Sequence, residues 1–275
     1  MAASPAASGS STSGSSEEAP PPSLSWQKCS LQESDIQDLV ERGLLPEKQV
    51  SRWRCCYGEE FSSEDTDQTV VFKSFYEKGF GLPAGAFFRG LLHFYGLEVA
   101  HLKPNLIAQI AIFIHLCEGY LGIEAHWDLW IHLFRGELFV ENVQGQPKRF
   151  ACAGGLMLHL RPSRKNLYIP NKMTTNNAGW TRGWFYLRNF GNRLPAFTNK
   201  VLRERPAKWD WGVSPPAHQA RLEVLTEALV HLARKGLMAT SVIANFHRQR
   251  VIPLTERSLL IFGLTPGVPA VTPLC

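Results

Sequence analysis

One apolar stretch, residues 104–121, constrains the fold of this chain more than any other feature of its sequence. Pro104 is tolerated in the first turn of a helix, and Gly119 and Gly122 favour a helix end. A helix that is apolar on all sides is either buried within a protein or spans a membrane. A membrane span needs about 20 residues with few charges. This stretch is shorter and contains polar residues, so it predicts a buried central helix and no membrane partner. The polar residues are Gln109, His115 and Glu118.

The segment that follows, residues 127–138, has apolar residues at the spacing of one helix face, namely i, i+3, i+4, i+7 and i+11. Polar residues share the opposite face. The pattern predicts a second, amphipathic helix that continues through 138 and packs on the first. The apolar positions are Trp127, Trp130, Ile131, Phe134 and Leu138.

Weaker signals surround this pair. A short helix is predicted from Ser34 to Gly43, a strand over 69–75, and a helix over 84–95. The residues expected on the buried face of the last helix are Phe87, Leu91 and Phe94.

The second half changes character. Segments 150–160 and 180–188 are rich in strand-forming residues and are expected to pair with each other as antiparallel strands. Helices are predicted over 216–236 and 240–250. The first of these helices carries leucines spaced as in the seam between two packed helices, which suggests self-association. These leucines are Leu222, Leu225, Leu229 and Leu232. The predicted fold is α+β and mainly α-helical, with a helical amino-terminal half, a small antiparallel sheet and carboxy-terminal helices.

Composition suggests the boundaries of the folded region. Residues 1–27 are rich in Ala, Ser, Gly and Pro and predict a disordered tail, and 263–275 predict a loose one. Residues 28–141 and 149–262 would form two halves packed as one globular unit, with a loop over 142–148 between them. The six cysteines form no regular framework, and nothing resembles a secretory segment. We therefore expect reduced thiols and an intracellular protein of the nucleus or cytoplasm.

The charges are distributed unevenly along the chain. Residues 1–147 carry 10 Lys and Arg against 19 Asp and Glu, whereas residues 148–208 carry 13 against 1. Such a split indicates either a surface that faces a polyanion or two halves that attract each other.

Aromatic residues lie among the cations of this basic block, residues 148–208. Cations neutralise phosphates and aromatic faces stack on exposed bases, so the mixture is typical of single-stranded nucleic-acid binding. The same pattern also fits strands that bury their aromatic rings and leave the charges as an ordinary polar surface. The candidate RNA- or DNA-binding residues are Arg161, Arg164, Lys165, Lys172, Trp180, Arg182, Trp184, Tyr186 and Arg188.

Several strings in the chain, GLPAGAFFRGLLHFYGLEVAHLKPN and IAIFIHLCEGYLGIEAHWDLWIHLF above all, resemble the gypsy-type transposon domain family of plants. Two later strings, GWFYLRN and IANFHRQRVIPLTERS, extend the resemblance to about residues 70–262. The family has no assigned catalytic residues, so the resemblance implies an origin in a long-terminal-repeat element and no particular activity.

The sequence lacks the residue patterns of the enzymes that such elements encode. The chain has no D-[ST]-G turn of an aspartic protease and no Asp-Asp pair of a metal-dependent polymerase. His115, Cys117 and His126 are better explained as a buried thiol and hydrogen-bonded histidines than as zinc ligands. We therefore expect no catalytic residues, metal, cofactor or small-molecule substrate.

These observations favour a non-catalytic retrotransposon-derived protein, gag-like or accessory, that binds element RNA or DNA through 148–208. Two alternatives remain open at this point. One is a protein-interaction module in which the basic block docks on an acidic partner or on the chain's own acidic half. The other is a transposase-like nuclease, which would require three carboxylates that converge on a metal ion.

Overall fold

A computed structural model provides the architecture, and part of the chain is described by it. Most of the tail 1–27, all of the tail 263–275 and Lys172 lie outside the described residues. The described residues are 27–60, 62, 67–82, 84–143, 146–150, 153–170, 177–198, 200–202, 204–210 and 216–251.

The described chain contains α-helices, two small antiparallel sheets and several 3₁₀ turns, which confirms the predicted α+β, mainly helical class. The helices are α1 Glu33–Glu41, α2 Lys48–Ser51, α3 Lys73–Tyr76, α4 Ala86–Tyr95, α5 Pro104–Tyr120, α6 Trp127–Leu133, α7 Pro216–Arg234 and α8 Ala239–Phe246. The strands are β1 Gln68–Phe72, β2 Phe134–Val143, β3 Gln146–Phe150, β4 Leu156–Leu160 and β5 Trp184–Arg188.

The central helix α5 is buried on nearly all sides, as its composition predicts. Its side chains from Leu106 to Cys117 are almost all inaccessible, and only a narrow strip that includes Asn105 and Gly119 is exposed. No described helix combines the length and the apolar character needed to cross a membrane.

Phe113 on α5 is the point at which several elements meet. Its ring lies 5.4 Å from that of Phe87 on α4, 5.0 Å from that of Trp130 on α6 and 6.0 Å from that of Phe134 at the start of β2. The first pair is stacked and the other two are edge-on, and aromatic pairs in these arrangements are favourable beyond the area they bury. One side chain of α5 therefore joins the helical half to the first strand of the larger sheet.

The prediction of a single amphipathic helix over 127–138 was wrong in its second half. Helix α6 ends at Leu133, and β2 begins at the next residue. Phe134, Gly136 and Leu138 are buried while the residues between them are partly exposed, which is the alternation of a strand. A spacing of four residues corresponds to about one helical turn and also to two strand repeats, so Phe134 and Leu138 fitted both patterns.

The predicted pairing of 150–160 with 180–188 was also wrong, because each segment has another partner. Leu156–Leu160 pairs with the first half of β2, and Trp184–Arg188 pairs with β1, with Val70 opposite Tyr186. The second half of β2 pairs with β3, so the larger sheet has the order β3-β2-β4. The expected loop at 142–148 is therefore largely a hairpin.

Two further details differ from the sequence-based expectations. Strand β1 ends at Phe72, and residues 73–76 form α3 rather than a continuation of the strand. Helix α4 buries a face rotated from the predicted one, because Phe87 and Phe94 are only half-buried. Its fully buried residues are Phe88, Leu91, Leu92 and Tyr95.

A buried polar cluster connects the 3₁₀ turn at residues 99–101 to the segment around Lys200. The Glu98 amide donates to Nδ1 of His101 at 2.9 Å, so Nε2 carries the proton and donates to the Lys200 carbonyl at 2.7 Å. The Glu98 carboxylate accepts hydrogen bonds from the amide and hydroxyl of Thr198. This cluster satisfies polar groups that burial would otherwise leave unpaired.

A glycine in β2 provides a test of the core packing. A Cβ added at Gly136 would lie 2.9 Å from the ring of Trp209 and 3.3 Å from that of Tyr95. We expect Gly136→Ala to lower the free energy of unfolding by about 1–3 kcal/mol, because the buried Trp209 would have to move. Gly90 on α4 has open space around it, so Gly90→Ala should leave stability unchanged or raise it by up to about 1 kcal/mol. Urea unfolding of both variants measures the contrast, and equal effects would contradict the described packing.

His101 gives the fold a pH dependence whose sign can be stated. Burial lowers its pKa to about 4. The unfolded chain therefore binds a proton near pH 6.5 that the folded chain does not, and the free energy of unfolding falls as the pH drops from about 6.5 to 4. The loss from this residue is about 3 kcal/mol. His101→Gln should flatten this part of a stability-versus-pH curve measured by urea unfolding, whereas replacement of the exposed His93 by Gln should not.

Candidate nucleic-acid interface

The predicted binding residues that the structure describes lie after β4, before β5 and along β5. Arg161, Arg164 and Lys165 lie at and after the end of β4. Trp180 and Arg182 precede β5, close to the described amino-terminal end. The remaining three lie along β5 itself, and they are Trp184, Tyr186 and Arg188.

The aromatic rings on β5 face the interior of the protein. Trp184 and Tyr186 are 0% and 1% exposed, and the indole nitrogen of Trp184 donates to the Gln27 carbonyl at 3.0 Å. The guanidinium of Arg54 lies 4.1 Å from the centre of the Tyr186 ring. Neither ring presents a face on which a base could stack.

Trp180 is half-buried by the same packing. Its ring lies 4.6 Å from that of Phe72 and 5.9 Å from that of Phe75. Gly154 approaches its other side so closely that a Cβ there would overlap the indole. The tryptophan therefore fixes the 3₁₀ turn at 180–182 on the core.

Two of the predicted cations, Arg182 and Arg188, are exposed and lie at opposite ends of β5. Arg182 donates through Nε to the Gln27 side chain at 3.3 Å. Arg188, at the far end of β5, has its guanidinium 5.2 Å from the centre of the Phe190 ring. They are at separate positions on the surface.

The turn after β4, which carries the remaining predicted cations that the structure describes, combines several polar groups. Pro162 begins a 3₁₀ turn over residues 162–167, directly after Arg161. The Arg161 amide donates to the Leu133 carbonyl at 2.8 Å, and its Nε donates to the Ile131 carbonyl at 2.9 Å. Both carbonyls lie at the carboxy-terminal end of α6, where cationic side chains are favourable. Arg161 thus positions the turn that carries Arg164 and Lys165.

A cavity of about 440 Å³ opens between this turn, α6 and the first half of α7. We refer to it as the α6–α7 cleft. Leu222 forms part of its floor, and the rest of the lining is mainly polar. The polar side chains at the cleft are His132, Arg161, Ser163, Arg164, Gln219, Glu223 and Thr226.

The two arginines at the cleft affect the pKa of His132. Burial lowers the pKa of His132, and the nearby guanidinium groups of Arg164 and Arg161 lower it further. A neutral imidazole can donate one hydrogen bond and accept another. An anion in the cleft would oppose the effect of the two arginines.

Four of the predicted cations have no acidic partner among the described residues. No carboxylate of the described residues lies within 4.0 Å of the cationic nitrogens of Arg164, Lys165, Arg182 or Arg188. The described ion pairs with Lys or Arg use other residues, for example Lys73 with Asp35 at 3.0 Å.

The described residues also do not assemble a site for a metal ion. Within these ranges, no group of three His, Cys, Asp or Glu side chains is placed to hold one. The convergence of carboxylates that a transposase-like nuclease would need is therefore not found in this part of the chain.

Residues 70–137, from β1 to the first residues of β2, match the family model described as "Putative gypsy type transposon". These residues are similar to a gypsy-type transposon domain. The resemblance inferred from the sequence strings is confirmed over these residues, which contain α4, α5 and α6 and hence one wall of the cleft. Neither the curated proteins nor the solved structures give a match.

The sequence did not indicate the α7 side of the cleft. Gln219 and Thr226 are far from Arg164 along the chain, and only the packing of α7 on α6 and the 3₁₀ turn brings them together. His132 was recognisable as part of the polar face of α6, but its position beside Arg164 was not.

The cleft's electrostatics can be tested with two crossed variants. Arg164→Gln should raise the pKa of His132, because it removes a cation that disfavours the imidazolium. Arg221→Gln should instead raise the pKa of His126, which Arg221 lowers in the same way after the larger effect of burial. Histidine NMR titrations of both variants measure these shifts. Equal responses of the two histidines to either variant would contradict the arrangement.

Proposed function

We propose that this chain is a non-catalytic protein of a gypsy-type element, gag-like or accessory, that binds element RNA or DNA by electrostatic contact with phosphates. The contact would be centred on the α6–α7 cleft and the exposed 3₁₀ turn beside it. The observation that carries the proposal is that Arg164 lines a polar cleft, that the exposed Lys165 follows it in the same turn, and that neither has a described carboxylate partner.

The chemistry of the cleft suits a phosphodiester group. Arg164 offers a guanidinium fork that matches phosphate oxygens, and Ser163 and Gln219 can add neutral hydrogen bonds. Glu223 is the acidic side chain at the cleft. No described carboxylate, Glu223 included, lies within 4.0 Å of the cationic nitrogens of Arg164, so this guanidinium is available to an anion.

The burial of the aromatic rings determines which kind of binding is proposed. Trp184 and Tyr186 are inaccessible, so the contact would use phosphates and not base stacking. Phosphate contacts carry no direct sequence information and weaken steeply with salt. Binding is therefore expected to tolerate different sequences and to depend strongly on ionic strength.

The leucine repeat of α7 is not the route that we propose for self-association. Leu222, Leu225 and Leu229 are buried within the protein, on the side of α7 that faces α6. If copies of the chain associate, they would use another surface. We place the function inside the cell, where thiols such as the free Cys29, Cys55, Cys56 and Cys117 stay reduced.

A second candidate is a protein-interaction module whose basic surface docks on an acidic protein. The same cations support it, since they are available to any anionic partner. It differs in its ligand, because an acidic peptide would then bind at least as tightly as RNA of equal charge.

The proposal is tested by a salt titration of binding to a fluorescently labelled single-stranded RNA. We expect log K to fall linearly with log salt concentration, and the double variant Arg164→Gln, Lys165→Gln to reduce the slope by about 1.4 through the loss of two phosphate contacts. The double variant Arg234→Gln, Lys235→Gln removes the same charge at the other end of α7. It should retain the wild-type slope.

The outcomes separate the candidates. Absence of RNA binding, or binding with no salt dependence, would overturn the nucleic-acid proposal. Equal losses in the two double variants would show that net charge matters and the cleft does not. Displacement of the RNA by a poly-glutamate peptide at lower charge concentration than by unlabelled RNA would favour the protein-interaction module.

A further inference from the structure

Two cysteine side chains, Cys29 of the amino-terminal segment and Cys56, lie in contact beside Trp184 at the start of β5. Cys29 and Cys56 are each 2% exposed, and their Sγ atoms are 3.7 Å apart. The Trp184 carbonyl oxygen lies within hydrogen-bond distance of both sulfur atoms, 3.1 Å from Cys29 Sγ and 3.0 Å from Cys56 Sγ. A shared acceptor holds the two sulfur atoms in one place.

The backbone around the pair fixes this contact from both sides. The Cys29 amide donates to the Glu59 carbonyl at 2.8 Å, and the Gly58 amide donates to the Cys29 carbonyl at 2.9 Å. A disulfide needs the sulfur atoms about 2.05 Å apart. The remaining approach of under 2 Å is within reach of side-chain rotation, with the backbone segments already paired.

The two thiols differ in their readiness to ionise. A hydrogen bond donated by Cys56 lowers the pKa of Cys29 to about 7, against the opposing effect of burial. The same interaction and burial raise the pKa of Cys56. Cys29 is thus the thiol that supplies a thiolate near neutral pH, and the thiolate is the reactive form.

A cavity gives small molecules a route to the pair. It has a volume of about 640 Å³ and is lined by residues 27–30, Tyr57, Gly58 and Arg182. Cys29 is one of the lining residues, whereas Cys56 lies behind it. Arg182 also lines this cavity, and the charge of Glu59 acts in the opposite sense by raising the pKa of Cys29.

We propose that Cys29 and Cys56 form a peroxide-reactive dithiol, in which Cys29 is the attacking sulfur and Cys56 the resolving one. The Cys29 thiolate attacks one oxygen of hydrogen peroxide, the O–O bond breaks, and hydroxide leaves and takes up a proton to become water. Cys29 is now a sulfenic acid. The Cys56 sulfur then attacks Cys29 Sγ, forming the S–S bond and releasing a second water that carries off the Cys56 proton.

The net reaction converts two thiols and one peroxide into one disulfide and two waters. The disulfide would join the amino-terminal segment covalently to the turn that contains Tyr57 and Gly58. This proposal is independent of the proposed nucleic-acid function, because neither sulfur atom borders the α6–α7 cleft.

Two other cysteines serve as matched controls. Cys55 is half-buried and its thiol donates to the Leu31 carbonyl at 3.2 Å, away from the pair. Its adjacency to Cys56 makes a bond between those two an awkward geometry. Cys117 lies in α5, and burial raises its pKa to about 11. Neither is expected to react at low peroxide concentration.

The test treats the reduced full chain with one equivalent of hydrogen peroxide, followed by thiol alkylation and mass spectrometry. Wild type, Cys55→Ser and Cys117→Ser should each lose the mass of two hydrogen atoms, with a cross-linked peptide pair containing Cys29 and Cys56. The oxidised wild type should melt about 5 °C higher than the reduced one, since the bond constrains the unfolded chain.

Variants of the pair identify the attacking sulfur. Cys56→Ser should stop at the sulfenic acid and be labelled at Cys29 by dimedone, whereas Cys29→Ser should not be labelled at Cys56. Circular dichroism confirms that each variant is folded. The proposal is overturned if the disulfide contains Cys55, if Cys56 is labelled in Cys29→Ser, or if folded wild type keeps both thiols after treatment.

Discussion

The burial of α5 is the constraint on which the rest of this structure depends. A helix that is apolar on almost every side can leave water only if other elements surround it. Phe113 shows how this occurs, since its ring contacts those of Phe87, Trp130 and Phe134 from three different elements. The gypsy-type transposon match over residues 70–137 covers this helix and most of the elements that pack on it.

The packing around α5 also determines where the basic residues lie in the folded protein. Strand β2 begins at Phe134 and pairs with β4, which is followed by the turn at 162–167 beside the end of α6. Strand β5 pairs instead with β1 and carries its cations elsewhere. A block that is continuous in sequence is therefore divided in space, and one part of it meets a polar cleft.

The two surfaces of functional interest use different chemistry. Arg164 at the α6–α7 cleft and Lys165 beside it in the turn supply positive charge without exposed aromatic rings, so electrostatic contact with phosphates is the interaction they support. At the amino-terminal segment, Cys29 and Cys56 share the Trp184 carbonyl and border a separate cavity. The indole of Trp184, predicted from the sequence to stack on a base, is instead part of the core.

The sequence by itself determined the fold class, the buried helix at 104–121, the family of residues 70–137 and the separation of charge along the chain. These depend on composition and on local periodicity, which one segment carries alone. Tertiary structure decided that Phe134 begins a strand, that β5 pairs with β1, and that Gln219 lies across from Arg164. Strand pairing depends on which distant segments bury each other's apolar faces. Apolar residues four positions apart fit both a helix and a strand, and the segment that packs against them decides between the two.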